Sequence, residues 1–366
     1  MEAKDKVELY NRPLRLEQNR ISYLIKGGEL IDNFLGKEHV DTSLSQMWIA
    51  STVSSVLGDG TEGFSRLIQE DGGHLLKDLL EKNPPSYLGG PHTEKWGHSL
   101  GILVKLLNSE DRLLVQTHPN KEKAMKYFNS RFGKTEAWYV VDTKHGEPAF
   151  VYAGFKPDIN EALFRQFIQA QDTEKILASL HQFEIHAGDV VFIPAGLPHA
   201  LGNHSLVVEI QEPTDITLRA ERIRPDGSVL PEESLHSGIG MDGLLDCFDF
   251  SSSDKEKTRR KIFIEPRISV RGEGLTEFEL IGGDVTDCFS MKKILIEGGS
   301  QHVKTNPGFL AVLVLEGQGS IRSGETVVSV SKGSELFLPA GVGEYVYQAQ
   351  SRMEILEFYP PDSEKL

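Results

Sequence analysis

Four side chains in the middle of the chain have the types and the spacing of a metal site. Gln116 and His118 stand two residues apart in QTHPNK, Glu136 follows in GKTEAWYVVD, and His199 lies in PAGLPHALG. Two imidazoles, a carboxylate and a side-chain amide match the nitrogen and oxygen ligands of zinc in a tetrahedral or slightly expanded site. None of the four is a cysteine, so the pattern excludes a finger-type structural zinc site.

Strands must bring these four ligands together. The sequence predicts a strand over Arg112–Pro119, on which Leu114, Gln116 and His118 share one face because strand side chains alternate. That alternation explains how a Q-x-H pair can bind one ion. The proline- and glycine-containing turn after a second buried strand delivers His199.

Helical periodicity appears in several segments between the predicted strands. Apolar spacing from Thr61 to Lys82 predicts two short helices, since Gly72 and Gly73 interrupt it. The segments KEKAMKYF, INEALFRQFIQ and EKILASLHQF are also helical in pattern. We therefore expect helical excursions in and before the first half of a strand-rich chain.

An internal repeat predicts two related barrels. Gly188–Leu201 resembles Gly333–Val346, and the match places Glu344 where the first copy has His199. Many short strands with glycine turns are typical of antiparallel jelly rolls. The predicted fold class is thus mainly β, with two cupin-type jelly-roll barrels of which only the first retains a metal site.

A change in composition suggests the domain division. Polar and charged segments, PDGSVLPEES and SSSDKEKTRRK, lie between the two strand-rich parts. We predict an N-terminal metal-binding cupin domain over residues 1–224, a linker with a short helix over 225–261, and a C-terminal cupin domain without a metal over 262–366.

Composition narrows the class of partner and the compartment. A formal net charge of -15 argues against nucleic acid, whose phosphates would be repelled. Only Cys247 and Cys288 are present, which fits a reducing compartment. No apolar run approaches the roughly 20 residues of a membrane span, and MEAKDKVELY lacks the apolar core of a signal peptide. The expected location is the cytoplasm, with no membrane partner.

The motifs follow one another in an order that resembles the type I mannose-6-phosphate isomerases, over roughly Gly101–Ala220. This resemblance implies a zinc-dependent bicupin enzyme that interconverts mannose 6-phosphate and fructose 6-phosphate through a cis-enediolate. It also implies one zinc per chain, a sugar phosphate as the small-molecule partner, and a monomer or homodimer. The implied zinc ligands are Gln116, His118, Glu136 and His199.

The resemblance assigns four further residues to the site. TDITLR matches the family's S-D-x-x-x-R segment, which implies Arg219 as the catalytic arginine with Asp215 as its nearby carboxylate. Lys134 matches the lysine of the K-x-E motif and is the candidate proton carrier, because burial and a metal ion can lower a lysine pKa. Arg224 is the nearest cation for substrate binding. The alternatives are a surface role for Lys134 and a structural Asp215–Arg219 ion pair.

One departure from the family pattern concerns the phosphate. The family usually has a serine two residues before the ligand glutamine, and this chain has Leu114. Replacing a hydroxyl by an apolar side chain disfavours an anion. Two alternatives therefore stay open: an isomerase for another sugar, and a sugar-binding or regulatory bicupin without turnover. A metal-dependent oxygenase on the same barrel is a third, which a glutamine ligand and the nearby lysine and arginine disfavour, because that class typically uses iron with mostly histidine ligands and one carboxylate.

Overall fold

The computed structural model describes residues 8–39, 41–55, 60 and 62–361. The prediction that no signal peptide is present falls largely on residues 1–7, which lie outside the described residues. Within the described ranges, no helix has both the length and the apolar composition to cross a membrane.

Strands dominate the described part of the chain, which confirms the mainly β fold class. They are β1 (Leu14–Leu16), β2 (Arg20–Ile21), β3 (Gln46–Ile49), β4 (Leu103–Ser109), β5 (Gln116–Thr117), β6 (Glu136–Thr143), β7 (Ala149–Phe155), β8 (Leu180–Ile185), β9 (Val190–Ile193), β10 (His199–Leu201), β11 (Ser205–Gln211), β12 (Leu218–Arg219), β13 (Arg267–Gly272), β14 (Leu275–Ile281), β15 (Ser290–Ile296), β16 (Gln301–Thr305), β17 (Leu310–Glu316), β18 (Gln318–Ser323), β19 (Thr326–Ser331), β20 (Glu335–Leu338), β21 (Glu344–Ala349) and β22 (Met353–Tyr359).

The helices are short and lie between or before the strands. They are α1 (Glu29–Phe34), α2 (Leu76–Lys82), α3 (Pro84–Leu88), α4 (Gly90–Trp96), α5 (Lys121–Phe128), α6 (Glu161–Ala170), α7 (Thr173–Ala178), α8 (Glu233–His236), α9 (Gly240–Asp246) and α10 (Lys255–Ile262), with 3-10 turns at Leu9–Asn11, Gln69–Asp71 and Ala340–Val342.

Two antiparallel sheets enclose the N-terminal barrel. One has the order β2-β3-β4-β11-β6-β9 and the other β12-β5-β10-β7-β8. Their inner faces meet in one apolar cluster, in which Trp138 and Val207 of the first sheet pack with Val151 and Leu201 of the second. Burial of these side chains holds the two sheets at a fixed separation.

The C-terminal barrel is built in the same way. Its larger sheet has the order β1-β20-β17-β22-β15-β14-β13 and its smaller sheet β16-β21-β18-β19. Val312 and Leu336 of the larger sheet pack with Tyr345 and Ile321 of the smaller one. Strand β1 comes from the N-terminal end of the chain, so the larger sheet contains residues from both ends of the sequence.

A second apolar cluster joins the two barrels. It brings Leu106 and Ile210 of the first barrel into one buried group with Leu313, Phe337 and Leu356 of the second. The outward face of each large sheet therefore packs against the other barrel rather than facing water.

The segment predicted as a linker is more structured than its composition indicated. It holds three helices, α8, α9 and α10, instead of one. Leu235, Leu244 and Phe248 pack with Phe155 and Phe164 outside the five-stranded sheet, because a few apolar residues among many polar ones suffice to anchor short helices. The division at residues 224 and 261 itself stays a prediction.

Three expectations about local secondary structure differ from the structure. The segment EKILASLHQF is helical only as far as Ala178, and its last four residues lie in β8. The strand predicted over Arg112–Pro119 is regular only at Gln116–Thr117. In the segment from Thr61 to Lys82, a 3-10 turn at Gln69–Asp71 replaces the first helix.

Glu344, which the repeat aligns with His199, is exposed and faces outward. The neighbouring Tyr345 is fully buried and points into the second barrel instead. By sequence, His199 aligns with Glu344, but by inward-facing position it corresponds to Tyr345, one residue later. A shift of one residue along a strand moves a side chain to the opposite face of the sheet.

Candidate metal centre

A short row of paired residues crosses the smaller sheet of the first barrel. Gln116 on β5 lies opposite His199 on β10 and opposite Arg219 on β12. Adjacent strands are about 4.8 Å apart, so this register places the three residues side by side. Residues more than eighty positions apart in sequence thus become neighbours.

The facing sheet supplies the carboxylate. Glu136 is the first residue of β6, where it pairs with Gln211 on β11 and Ile193 on β9. Backbone hydrogen bonds then close the site around it: Lys134 N donates to Pro119 O over 3.1 Å and Gly196 N donates to His118 O over 2.8 Å.

Three of the predicted ligands converge in the barrel interior. Ligand atoms of His118, Glu136 and His199 all lie within 4.8 Å of one another, and each residue is at most 1 % exposed. The two histidine Nε2 atoms stand 3.4 and 3.2 Å from the two oxygens of Glu136. Ligand atoms around a tetrahedral zinc with bonds of about 2.0–2.1 Å are about 3.3 Å apart, so the spacing fits that ion.

Hydrogen bonds fix the tautomer of both imidazoles. His118 Nδ1 donates to Ile216 O and His199 Nδ1 donates to Leu197 O, each over 2.9 Å. The proton is thereby held on Nδ1, which leaves the Nε2 lone pair of each ring directed at Glu136. Such outer hydrogen bonds are the usual support of metal-binding histidines.

The carboxylate of Glu136 has no hydrogen-bond donor among the described residues, although both its oxygens are buried. Burial alone would raise its pKa, but the charge of Lys134 outweighs burial and holds the pKa well below its ordinary value. Burial, and then the charge of Lys134, lower the pKa of His118 to about 3. An ionised carboxylate without donors beside a neutral imidazole is a donor set ready for a cation.

The side chain of Gln116 lies next to His199, at the edge of the three converging ligands. Its Nε2 lies 3.3 Å from His199 Nε2, and the residue is 7 % exposed. Rotating the amide by half a turn places Oε1, the atom that zinc binds, at that position. The predicted fourth ligand is therefore adjacent to the other three.

Lys134 is buried at the metal centre rather than on the surface. It is 3 % exposed, and its Nζ lies 3.3 Å from His118 Nε2 and 3.6 Å from Glu136 Oε2. The alternative of a surface lysine is therefore wrong. A buried amine this close to the ligands can reach a molecule bound beside them.

Lys105 is a buried cation that the sequence reasoning missed. It is 2 % exposed, and its Nζ lies 3.4 Å from Asp215 and 3.7 Å from Glu209. Burial would lower its pKa, but these two carboxylates outweigh burial and raise it. The signal was present in LGILVKLL, where Lys105 is the one charged residue in an apolar strand.

The ion pair with Lys105 also bears on two predicted residues. Asp215 has this lysine as a partner, whereas the sequence alternative paired Asp215 with Arg219. Arg219 is 8 % exposed and donates from Nη1 to Ser234 O over 3.2 Å. A guanidinium with one such bond retains further donors for an anion.

Glu209, the second carboxylate beside Lys105, also contacts Trp138. Glu209 accepts from Trp138 Nε1 over 3.1 Å. Burial and the nearby Glu136 raise the pKa of Glu209 to about 7. The Trp138 ring is in edge contact with His199, with 5.7 Å between ring centroids, so it also packs against the metal centre.

Arg112 and Glu221 form a clamp beneath the row of paired residues. Arg112 donates from both terminal nitrogens to Glu221 over 2.8 and 2.9 Å, and Val115 N donates to the same carboxylate over 2.6 Å. Glu221 is fully buried. A bidentate pair between an arginine and a carboxylate restricts the orientation of both groups in addition to stabilising them. This clamp therefore fixes β5 against β12.

Leu114 and Arg224 are the two remaining residues that the sequence analysis related to the substrate. Leu114 is 4 % exposed. Arg224 is half-buried, and its backbone N–H donates to Ser228 O over 2.8 Å in the turn after β12. The predicted contact between Arg224 and a substrate stays a prediction.

Comparison with known proteins relates the chain to a family. A family model described as the catalytic domain of type I phosphomannose isomerase matches residues 42–166. A model described as the mannose-6-phosphate isomerase cupin domain matches residues 284–360. The chain is 27% identical over 263 residues to mannose-6-phosphate isomerase ManA of Bacillus subtilis (strain 168), which covers 68% of this chain and 72% of the relative. It is 29% identical over 285 residues to mannose-6-phosphate isomerase of Streptococcus mutans serotype c (strain ATCC 700610 / UA159), which covers 74% and 79%.

Solved structures share the fold. The mannose 6-phosphate isomerase of Bacillus subtilis matches 95% of this chain and 99% of its own, with a TM-score of 0.73 and 23% identity. A zinc-bound mannose 6-phosphate isomerase matches the same shares with a TM-score of 0.70 and 14% identity. These likenesses extend over both barrels.

Proposed function

We propose that the chain is a member of the type I phosphomannose isomerase family and that it interconverts mannose 6-phosphate and fructose 6-phosphate with one zinc ion per chain. The observation that carries this proposal is the buried group of His118, Glu136 and His199, with Lys134 against it. Gln116 completes the proposed ligand set. We place the activity in the cytoplasm, in a monomer or homodimer.

The reaction moves a proton between C1 and C2 of the sugar, through a cis-enediolate that carries negative charge on its oxygens. Zinc bound by the four ligands would supply a positive charge that polarises the carbonyl and stabilises that developing charge. The polar groups around the site then have to hold the sugar, move the proton and exclude water.

Lys134 is the proposed proton carrier. Its Nζ is buried beside two ligands, so a sugar bound to the centre would lie within its reach. Arg219 remains charged throughout and is suited to hold the enediolate or the phosphate. In this proposal Asp215 forms a buried ion pair with Lys105, and this pair positions the polar side chains around the site.

The residues that would hold the phosphate decide between a mannose 6-phosphate isomerase and a protein that acts on, or only binds, another sugar. Leu114 is buried where the family usually has a serine, so the phosphate must be held by other donors, for which Arg219 and Arg224 are the candidates. An isomerase for another sugar, or a bicupin that binds sugar without turnover, is the second candidate function.

Hydrogen exchange followed by NMR distinguishes these candidates. The zinc-loaded protein should introduce solvent deuterium at C2 of mannose 6-phosphate and C1 of fructose 6-phosphate. His199→Ala should lose both the zinc and the exchange, whereas His186→Ala, which removes an exposed histidine, should keep both. Calorimetric sugar binding without exchange for any hexose 6-phosphate would show the non-catalytic alternative to be correct.

A further inference from the structure

The interior of the C-terminal barrel contains a second group of buried charges, which we call the C-terminal polar cluster. It draws on five strands of the two facing sheets: β14, β15 and β22 of the larger sheet, and β16 and β21 of the smaller one. Its members are Glu277, Lys292, His302, Lys304, Glu357, Tyr345, Tyr347 and Tyr359.

Glu277 is the acceptor at the centre of this cluster. It receives hydrogen bonds from Ser269 Oγ over 3.0 Å, Lys292 Nζ over 3.1 Å, His302 Nε2 over 3.2 Å and Lys304 Nζ over 2.6 Å. Its side chain is 4 % exposed. Both of its oxygens are therefore fully occupied by donors from the protein.

Glu357 is saturated in the same way, deeper in the barrel. Lys304 donates to it over 2.6 Å, and the hydroxyls of Tyr345 and Tyr347 donate over 2.7 and 2.9 Å. Tyr359 donates to Oε2 of Glu357, the same oxygen that accepts from Lys304, whereas Tyr345 and Tyr347 donate to Oε1. Neither carboxylate of the cluster has accepting capacity left for a further donor.

A cavity of about 350 Å³ opens onto this cluster. Its polar lining includes Lys292, His302 and Lys304, and its apolar lining includes Val270 and Val303. This volume lies within the roughly 300–1,000 Å³ of small-molecule sites, which are typically apolar with a few placed polar groups.

The remaining hydrogen-bonding capacity of the cavity is mostly that of donors. An ammonium group has three hydrogens; Lys292 gives one of them to Glu277, and Lys304 gives two to the carboxylates. His302 lines the same side of the cavity, and its Nε2–H is already given to Glu277, so the donors that remain are those of the two lysines. Two lysines at this position oppose a metal cation and favour a ligand that accepts hydrogen bonds.

We propose that this cavity binds a small molecule through an oxyanion, a carboxylate or phosphate group, held by Lys292 and Lys304 with the molecule's body against Val270 and Val303. The site is separate from the metal centre and lies in the other barrel. The proposal goes beyond the isomerase function and does not depend on it.

The imidazole resonance of His302 provides a test that is independent of enzyme activity. It is identified in histidine-labelled protein by its loss in His302→Gln. Inorganic phosphate, acetate, mannose 6-phosphate and mannose are then titrated separately. We expect the resonance to move with at least one of the anions and not with uncharged mannose; a response to only one kind of anion supports the proposal and narrows the ligand class.

Lys292→Gln is the matched variant, since its side chain is 28% exposed and its loss leaves the deeper contacts in place. It should weaken the response at least about 10-fold, because a charge-assisted hydrogen bond is removed. Lys332→Gln, on the exposed Lys332–Glu316 pair, should leave it unchanged. The proposal is overturned if no anion moves the resonance, if mannose moves it as strongly, or if Lys292→Gln responds like the unaltered protein.

Discussion

At the scale of single residues, the metal centre depends on protonation states that burial and neighbouring charges impose. The pKa of His118 is lowered to about 3, so its ring is neutral near pH 7, while the pKa of Glu136 is held low enough for ionisation. Both groups are therefore in the form that binds a metal. In each case Lys134 contributes, because its charge disfavours the imidazolium and favours the carboxylate.

The role of Lys134 can be separated from that of the ligands. Lys134→Gln should retain zinc, because no proposed ligand is removed, and should lower kcat by roughly 100- to 10,000-fold, the usual contribution of a positioned acid or base. Zinc content and the rate of deuterium exchange are the measurements. Lys126→Gln, at an exposed position, is the control. Full activity in Lys134→Gln would show that another group carries the proton.

Lys105 is expected to matter for stability. Lys105→Gln removes the cation that Asp215 and Glu209 share in the barrel interior, so the free energy of unfolding should fall by about 3–5 kcal/mol. Urea denaturation of the zinc-loaded protein measures it. Lys77→Gln removes the exposed pair with Glu81 and should cost under about 0.5 kcal/mol. Equal effects of the two variants would contradict this account of the buried pair.

At the scale of elements, the short strands β5, β10 and β12 decide the geometry of the site. β5 is regular over only Gln116–Thr117, yet Gln116 pairs with a residue of each neighbouring strand. The clamp from Arg112 and Val115 to Glu221 compensates for the short ladder by fixing the chain just before β5. Strand register and this clamp together place the ligands.

The C-terminal polar cluster predicts a pH dependence of stability. Burial would raise the pKa of Glu277, but His302, Lys304 and Lys292 outweigh burial and hold it well below the ordinary 4.5. The unfolded chain takes up this proton first, so the stabilisation is present above about pH 4.5 and is lost as the pH falls below that value. Glu357 is the other carboxylate beside Glu277, because Lys304 forms ion pairs with both.

Glu277→Gln tests this linkage. The midpoint of urea unfolding should fall more steeply between about pH 5 and pH 3 in the unaltered protein than in Glu277→Gln, because the variant cannot take up the proton. Glu279→Gln on the same strand, which removes the exposed contact with Arg267, is the control. Parallel pH profiles for the unaltered protein and Glu277→Gln would exclude the proposed linkage.

At the scale of the whole molecule, the two barrels are not independent along the chain. β1, at residues Leu14–Leu16, pairs with β20 and forms an edge of the large C-terminal sheet. Its side chains Leu14 and Leu16 belong to the apolar cluster that joins the barrels. The C-terminal barrel is thus completed by the beginning of the sequence.

A fragment tests this dependence and the predicted division of the chain. Residues 262–366 alone lack β1 and expose the edge of β20 together with the face that packs on the first barrel. We expect this fragment to aggregate or unfold, because an open apolar edge strand pairs with other chains. Size-exclusion chromatography measures the aggregation of the fragment, and circular dichroism measures its secondary structure. Adding residues 8–20 as a peptide should restore solubility in part; a stable, monomeric fragment without the peptide would show that the C-terminal barrel folds by itself.

Much of the candidate site could be predicted from local patterns. Gln116 and His118 are two residues apart, as are Lys134 and Glu136, so local spacing predicted each pair even though the regular strands include only Gln116 and Glu136. Lys105 was recognisable by its charge in an apolar strand, but its partners were not, because Asp215 lies 110 residues away in sequence. The repeat aligned Glu344 with His199, but it could not show that Tyr345 rather than Glu344 faces the interior, since a sequence match does not fix which strand face is buried.

The sequence by itself determined the donor types, the mainly β class and the existence of two related barrels, because these depend on composition, alternation and repetition over short distances. Only the tertiary structure decided which residues share the interior: the pairing of His199 and Arg219 with Gln116, the ion pair of Lys105 with Asp215, the helices of the supposed linker, and the insertion of β1 into the far sheet. Each of these is a long-range contact, and long-range contacts follow from strand register and packing, which no local pattern contains.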